Sequence, residues 1–209
     1  MTNKIYDKLK MLWLHLKPFN RPWYQYFETP DGFNNYRFVR DRGQLRTALM
    51  MDALEQLEFE KTDVVVDVGS NAGRFGIALS SKVKRSYGIE LDKKFHRHAL
   101  FLKEIFSRYQ DLTNHVLING DINANASVVK ESTVTILGKV IYHKNLENKQ
   151  SELLDTIFHS KLRIAVLQGH TTQGDFGEEE FMEKLLEQYG FTVKLRIPHH
   201  EYPILIGER

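Results

Sequence analysis

Cysteine is absent from all 209 residues. Disulfides, zinc–thiolate centres, iron–sulfur clusters and cysteine nucleophiles are excluded together, and with the clusters goes the radical chemistry that needs them. No apolar run approaches the roughly 20 residues of a membrane-spanning helix. Lys4, Asp7, Lys8 and Lys10 interrupt any hydrophobic stretch near the first residue, so no signal peptide is expected. A soluble, cytoplasmic protein without a transmembrane segment is the plain expectation. No internal repeat or low-complexity tract occurs, and only five prolines punctuate the chain. Charge of one sign is scarce overall, with 29 Lys and Arg against 27 Asp and Glu. That near-balance hides an asymmetry. Residues 1–46 hold nine basic against four acidic residues, and the remainder 20 against 23. A basic arm on a mildly acidic body suits RNA or another anionic partner, although a solvated helix with outward lysines has the same composition.

What is present is a change of rhythm. Ile5, Leu9, Leu12 and Leu16 make one apolar stripe over residues 3–17, which reads as a helix. An aromatic segment at 23–38 follows, with Pro30-Asp31-Gly32 as a turn signal. Residues 43–57 return to helical spacing. Strands are then expected near 63–68, 85–90, 115–118, 133–141 and 162–168, with helices near 73–81, 93–109, 146–159 and 177–189. Phe191–Ile197 and Pro203–Gly207 read as a closing antiparallel hairpin. Alternating strands and helices predict an α/β Rossmann-like fold with a mostly parallel seven-stranded sheet, that hairpin at one edge, and a helical, aromatic N-terminal extension. The domain reading is an extension over 1–46 and a ligand-binding domain over 47–209.

The most informative stretch is VVVDVGSNAGRFG, residues 64–76. A β-branched run ends at Asp67, and a loop with Gly69, Ser70, Asn71 and Gly73 leads into a helix. Such a loop lets the backbone come close to a ligand. The dinucleotide fingerprint would need glycine at positions 71 and 74, where Asn71 and Arg74 stand, so a loop pressed onto a pyrophosphate is disfavoured. Glu90 ends the next strand, 21 residues after Gly69. A carboxylate there can accept hydrogen bonds from both hydroxyls of a ribose. Each feature has a plainer reading: a tight connection for the loop, a solvated strand end for Glu90, and a turn residue for Asp121 in Asn119-Gly120-Asp121. Their order on successive strand ends favours a nucleoside ligand.

With VDVGSNAG, GIELD and NGDINA in place, the chain over roughly 60–209 resembles the class I S-adenosylmethionine-dependent methyltransferases. The resemblance implies S-adenosyl-L-methionine as cofactor. It places the 69–73 loop against the methionine part, Glu90 on the ribose and Asp121 on the adenine amino group. Leu91 and Ile122 would then sandwich the ring. Asn71 departs from the family's second glycine, and asparagine is the non-glycine residue that best tolerates positive φ.

Methyl transfer needs alignment more than apparatus, since the sulfonium carries its own leaving group. A base is required only where the acceptor must lose a proton. His143, beyond the fourth strand in VTILGKVIYHKN, is the candidate, with a backbone-bonded strand-end histidine as its alternative. His170 opens the same rim. His199 and His200 fall in the hairpin connection and are expected to be exposed. His96 and His98 lie on different faces of one helix, and no metal site is expected. The lack of an Asp/Asn/Ser-Pro-Pro-Tyr/Phe motif disfavours methylation of base amino groups.

The arm interleaves Trp23, Tyr24, Tyr26, Phe27, Phe33 and Tyr36 with Arg21, Arg37, Arg40 and Arg42. These can stack bases and hold phosphates, or pack the arm onto the core. The GKVIYH stretch and the aromatic segment resemble bacterial enzymes that modify the wobble uridine of transfer RNA with a carboxylated form of the cofactor. The acceptor stays open among a small metabolite, a saccharide and RNA. A non-catalytic partner subunit and a homodimer stay open too.

Overall fold

The computed structural model describes residues 42–138, 150–169 and 179–209. The expected helix at 3–17 and the aromatic arm lie outside the described residues, as do His143 and His170.

Seven strands form one sheet in the order β3-β2-β1-β4-β5-β7-β6. They are β1 Val64–Val68, β2 Arg85–Glu90, β3 His115–Asn119, β4 Val134–Gly138, β5 Ile164–Gln168, β6 Thr192–Ile197 and β7 Ile204–Glu208. The first five run parallel, and β7 enters antiparallel between β5 and β6. The expected parallel sheet and terminal hairpin are therefore both present. The main helices are α1 Arg42–Glu55, α2 Arg74–Leu79, α3 Lys93–Phe106, the short α4 Ala126–Val129, α5 Gln150–Ile157 and α6 Glu179–Gln188. The 3₁₀ turn at Asn123–Asn125 and α4 have no counterpart in the sequence reading. Four helical residues are too few to show an apolar period.

β1 is buried almost throughout because both of its faces are covered. Val66 and Val68 pack with Leu137, Leu153, Ile157 and Leu167 on one side. Val65 packs with Met50, Leu54, Phe75 and Leu79 on the other. Burial of each such side chain contributes about 1.5–3 kcal/mol. This division positions the site. The helix after β1 sends Phe75 and Leu79 to one face, while the helix after β4 sends Leu153 and Ile157 to the opposite face. The helices that follow neighbouring β1 and β4 thus pack on opposite faces of the sheet, an arrangement that opens a crevice at the carboxyl ends of the two strands.

The other end of the sheet is closed by polar bonds. Asp63, 2% exposed, accepts from the Glu60 N–H at 2.7 Å, the Thr133 hydroxyl at 2.7 Å and Arg163 Nη2 at 2.7 Å. One carboxylate therefore ties together the starts of β1, β4 and β5. Among the described residues no helix is long and apolar enough to cross a membrane.

Candidate functional site

Three successive strand tips converge at the carboxyl edge. At β1, Gly69 has φ 69°, Asn71 φ 51° and Gly73 φ 77°. Asn71 is the one non-glycine residue in the left-handed region among the described residues. It holds the conformation that the sequence reading assigned it. The loop is pinned by the Gly69 and Ser70 N–H groups, which both donate to the Ile89 carbonyl, at 2.9 and 3.0 Å, and by Gly73 N–H on the Ser70 carbonyl at 2.8 Å.

Glu90, 8% exposed, is the hinge of the arrangement. Its Oε2 accepts from the Asn71 N–H at 2.8 Å, and its Oε1 accepts from the Asp92 N–H at 2.8 Å. The carboxylate thus joins the glycine-rich loop to the start of α3. Burial pushes the Glu90 carboxyl above the usual glutamate range, and the two backbone donors pull against that. A carboxylate offers about four lone-pair sites, so both oxygens retain capacity for a ligand.

At β3, Asn119 Nδ2 donates to the Glu90 carbonyl at 2.7 Å and to the Leu91 carbonyl at 3.2 Å, which locks the second and third tips together. Asp121 Oδ1 accepts from the Asn123 N–H at 2.8 Å, and its carbonyl accepts from Asn125 Nδ2 at 2.7 Å. The turn role foreseen for Asp121 is real, and its side chain is exposed besides. Ile122 is buried, whereas Leu91 leaves 69% of its surface exposed. An apolar side chain so open beside a buried carboxylate is a surface suited to a flat ring.

The remaining loop residues divide. Asp67 is buried on β1, between Gly88 and Ile136 of the neighbouring strands. Ser70 is fully buried with its hydroxyl turned to β2, since a Cβ on Gly88 would stand 2.9 Å from Ser70 Oγ. Ser70 Oγ and Asn71 Oδ1 are buried without a partner among the described residues. At the β4 tip, a Cβ added to Gly138 would meet no described atom within 4 Å. Left-handed glycines, partnerless acceptors, a carboxylate with spare lone pairs and an open apolar flank all fit an adenosine-bearing cofactor.

His199 and His200 are less alike than expected. His200 is exposed, but His199 is half-buried, stacked on His200 at 4.5 Å and on Tyr202 at 5.6 Å. Among the described residues no cluster of His, Asp and Glu could hold a metal ion. Asn119, expected only as part of a turn, and Ser86 and His115, which carry no expectation from the sequence, also shape the site. Only the first carried a local signal, as an asparagine at a strand end followed by glycine.

The sheet order, the left-handed loop and the acidic second tip define a class I S-adenosylmethionine-dependent methyltransferase. The family described as Histone methylation protein DOT1 matches residues 28–173, well over half of the chain, and the chain belongs to it. It is an enzyme of that class, with S-adenosylmethionine as cofactor. No curated protein matches the sequence. Among solved structures it is similar to magnesium protoporphyrin IX methyltransferase from Synechocystis PCC 6803 with bound cofactor. That match has 16% identity and a TM-score of 0.65, and covers 97% of each chain. It is also similar to precorrin-6y C5,15-methyltransferase from Geobacter metallireducens GS-15, with 13% identity and a TM-score of 0.59 over 78% of this chain and 88% of that one. A putative tRNA (m1A22) methyltransferase from Streptococcus pneumoniae matches at 16% identity and a TM-score of 0.52, over 76% and 68%. At these identities the likeness concerns the fold.

Proposed function

We propose that the carboxyl edge of β1, β2 and β3 holds the adenosine and methionine parts of S-adenosylmethionine, and that the acceptor enters on the β4 and β5 side. The carrying observation is Glu90, a buried carboxylate that bridges the 69–73 loop and the start of α3. Glu90 accepts from the ribose hydroxyls, Asp121 from the adenine amino group, and Leu91 and Ile122 flank the ring. Asp67, Gly69, Ser70, Asn71 and Gly73 shape the loop around the methionine part. When bound, the cofactor supplies an electrophilic methyl on a sulfonium. The protein's work is to align the acceptor and exclude water.

The acceptor side follows from this assignment. With ribose at β2 and adenine at β3, the methyl group faces β4, where a Cβ on Gly138 would meet no described atom within 4 Å. Adjacent strands lie about 4.8 Å apart, so β4, β5 and β7 offer a rim of roughly 10 Å for an acceptor. His143, five residues beyond β4, takes the acceptor's proton where its oxygen or nitrogen nucleophile carries one. The acceptors for which these neighbours are named, a porphyrin, a precorrin and a tRNA, are chemically diverse. The acceptor here is an O- or N-nucleophile of a small metabolite, a saccharide or RNA, with the basic 1–46 extension closing over it.

Calorimetry with S-adenosylhomocysteine is the test. The wild-type chain binds, and Glu90→Ala loses at least about 3 kcal/mol of affinity through two missing charge-assisted hydrogen bonds. Equal heats from both proteins would remove Glu90 from the site.

A further inference from the structure

Below the loop lies a buried imidazole that the proposed chemistry leaves unused. His115, the first residue of β3, is 0% exposed. Its Nδ1 is 2.8 Å from Ser86 Oγ. The Ser86 hydroxyl donates to the Gly76 carbonyl at 3.1 Å, so its single proton is committed and it accepts from Nδ1–H. Nε2 therefore keeps a lone pair, which has no partner among the described residues. The alternative tautomer would bury an unbonded N–H, which costs more. Lys103 Nζ donates to the His115 carbonyl and fixes the backbone on the α3 side.

The ring lies closest to the glycine-rich segment at Gly76. A Cβ on Gly73 would stand 3.7 Å from Nε2, and a Cβ on Gly76 would stand 2.3 Å from Cε1 and 2.8 Å from Nδ1. Gly73 caps α2 and Gly76 lies in its first turn. Two positions three apart share one helix face, and at Gly76 that face accommodates the ring only without a side chain. A leucine could fill the same volume. It could not hold the Ser86 hydroxyl against the Gly76 carbonyl, which gives the contact a direction as well as a size.

We infer that His115 is a positioning residue for cofactor binding: its ring sets the seat of the first turn of α2, and through Gly73 the conformation of the 69–73 loop. The inference rests on the reading of that loop as the cofactor site. His115 does not reach the ligand. It determines how far the loop stands from Glu90, the distance that the Asn71 N–H to Oε2 bond reports.

The experiment is S-adenosylhomocysteine calorimetry on the full chain, with thermal melts recorded for each protein. In Gly76→Ala the new methyl lies more than about 1 Å inside contact distance, so α2 is displaced. A misplacement of that size raises the dissociation constant at least about tenfold. His115→Ala alone takes away the ring that seats the turn and raises the constant at least about threefold. Ser86→Ala, a milder change that keeps the ring, raises the constant at least about threefold. If Gly76→Ala does not fold, His115→Ala and Ser86→Ala against wild type carry the test. A packing role alone would lower melting temperatures and leave affinity per folded molecule unchanged in all three, which overturns the inference while wild-type binding still stands. Absence of binding by wild type overturns the reading of the loop and this inference with it.

Discussion

Acidification should weaken the fold through His115 in particular. Burial, helped by the charge of Lys103, lowers its pKa from 6.5 to about 4. That displacement corresponds to about 3 kcal/mol of preference for the neutral ring. The unfolded chain protonates this histidine first. Its stabilising contribution is therefore complete above pH 6.5 and is lost as pH falls toward 4, with about 2 kcal/mol gone by pH 5. The test is urea unfolding of wild type and His115→Gln at pH 7.5 and pH 5.0. Glutamine cannot titrate, so the variant starts less stable but loses about 2 kcal/mol less between the two pH values. Burial also lowers His96, His98 and His159, and they act alike in both proteins and cancel in the difference. An equal loss in both proteins would refute the reasoning.

Three further outcomes follow from the same geometry. Asp63→Ala strips Arg163, the Thr133 hydroxyl and the Glu60 N–H of their shared acceptor, and should cost about 2–4 kcal/mol in urea unfolding; a change below about 0.5 kcal/mol would show the network to be idle. Asn71→Gly should retain S-adenosylhomocysteine binding, whereas Asn71→Val, forced to φ 51°, should lose about 1–2 kcal/mol of stability and bind poorly in calorimetry. Because burial raises the Glu90 pKa and ribose hydroxyls need an ionised acceptor, affinity should fall on acidification at pH values above the ordinary 4.5. A pH series of calorimetric titrations checks this. Protonation of Glu90 itself has the opposite sign on the fold, because a raised carboxyl pKa favours the folded state as pH drops.

The parts of this fold that were legible in the sequence are the parts governed by short-range pattern. The run at 64–68 shows a strand buried on both faces, and the hairpin announces itself in two extended runs about a short connection. The positive φ at Asn71 follows from its place between two loop glycines. Glu90 and Asp121 were legible as strand-end acids, but their local bonds were not. Oε1 of Glu90 answers to Asp92, and the Asp121 carboxylate caps its own turn.

What escaped the sequence is long-range. His115 in HVLIN looks like an ordinary strand residue, and its meaning comes from Ser86 and Gly76, 29 and 39 positions away. Asp63 acts through Thr133 and Arg163, 70 and 100 positions away. No periodicity encodes such pairings, because each side chain satisfies only the rule that a buried polar group finds a partner.

The central claim is that Glu90 and its neighbouring strand tips receive an adenosine. A crystal structure of the chain grown with S-adenosylhomocysteine measures this directly. Both ribose hydroxyls should lie within about 2.6–3.2 Å of the Glu90 carboxylate, with the adenine between Leu91 and Ile122. Density for the ligand elsewhere, or a Glu90 carboxylate in contact with no part of it, would contradict the account.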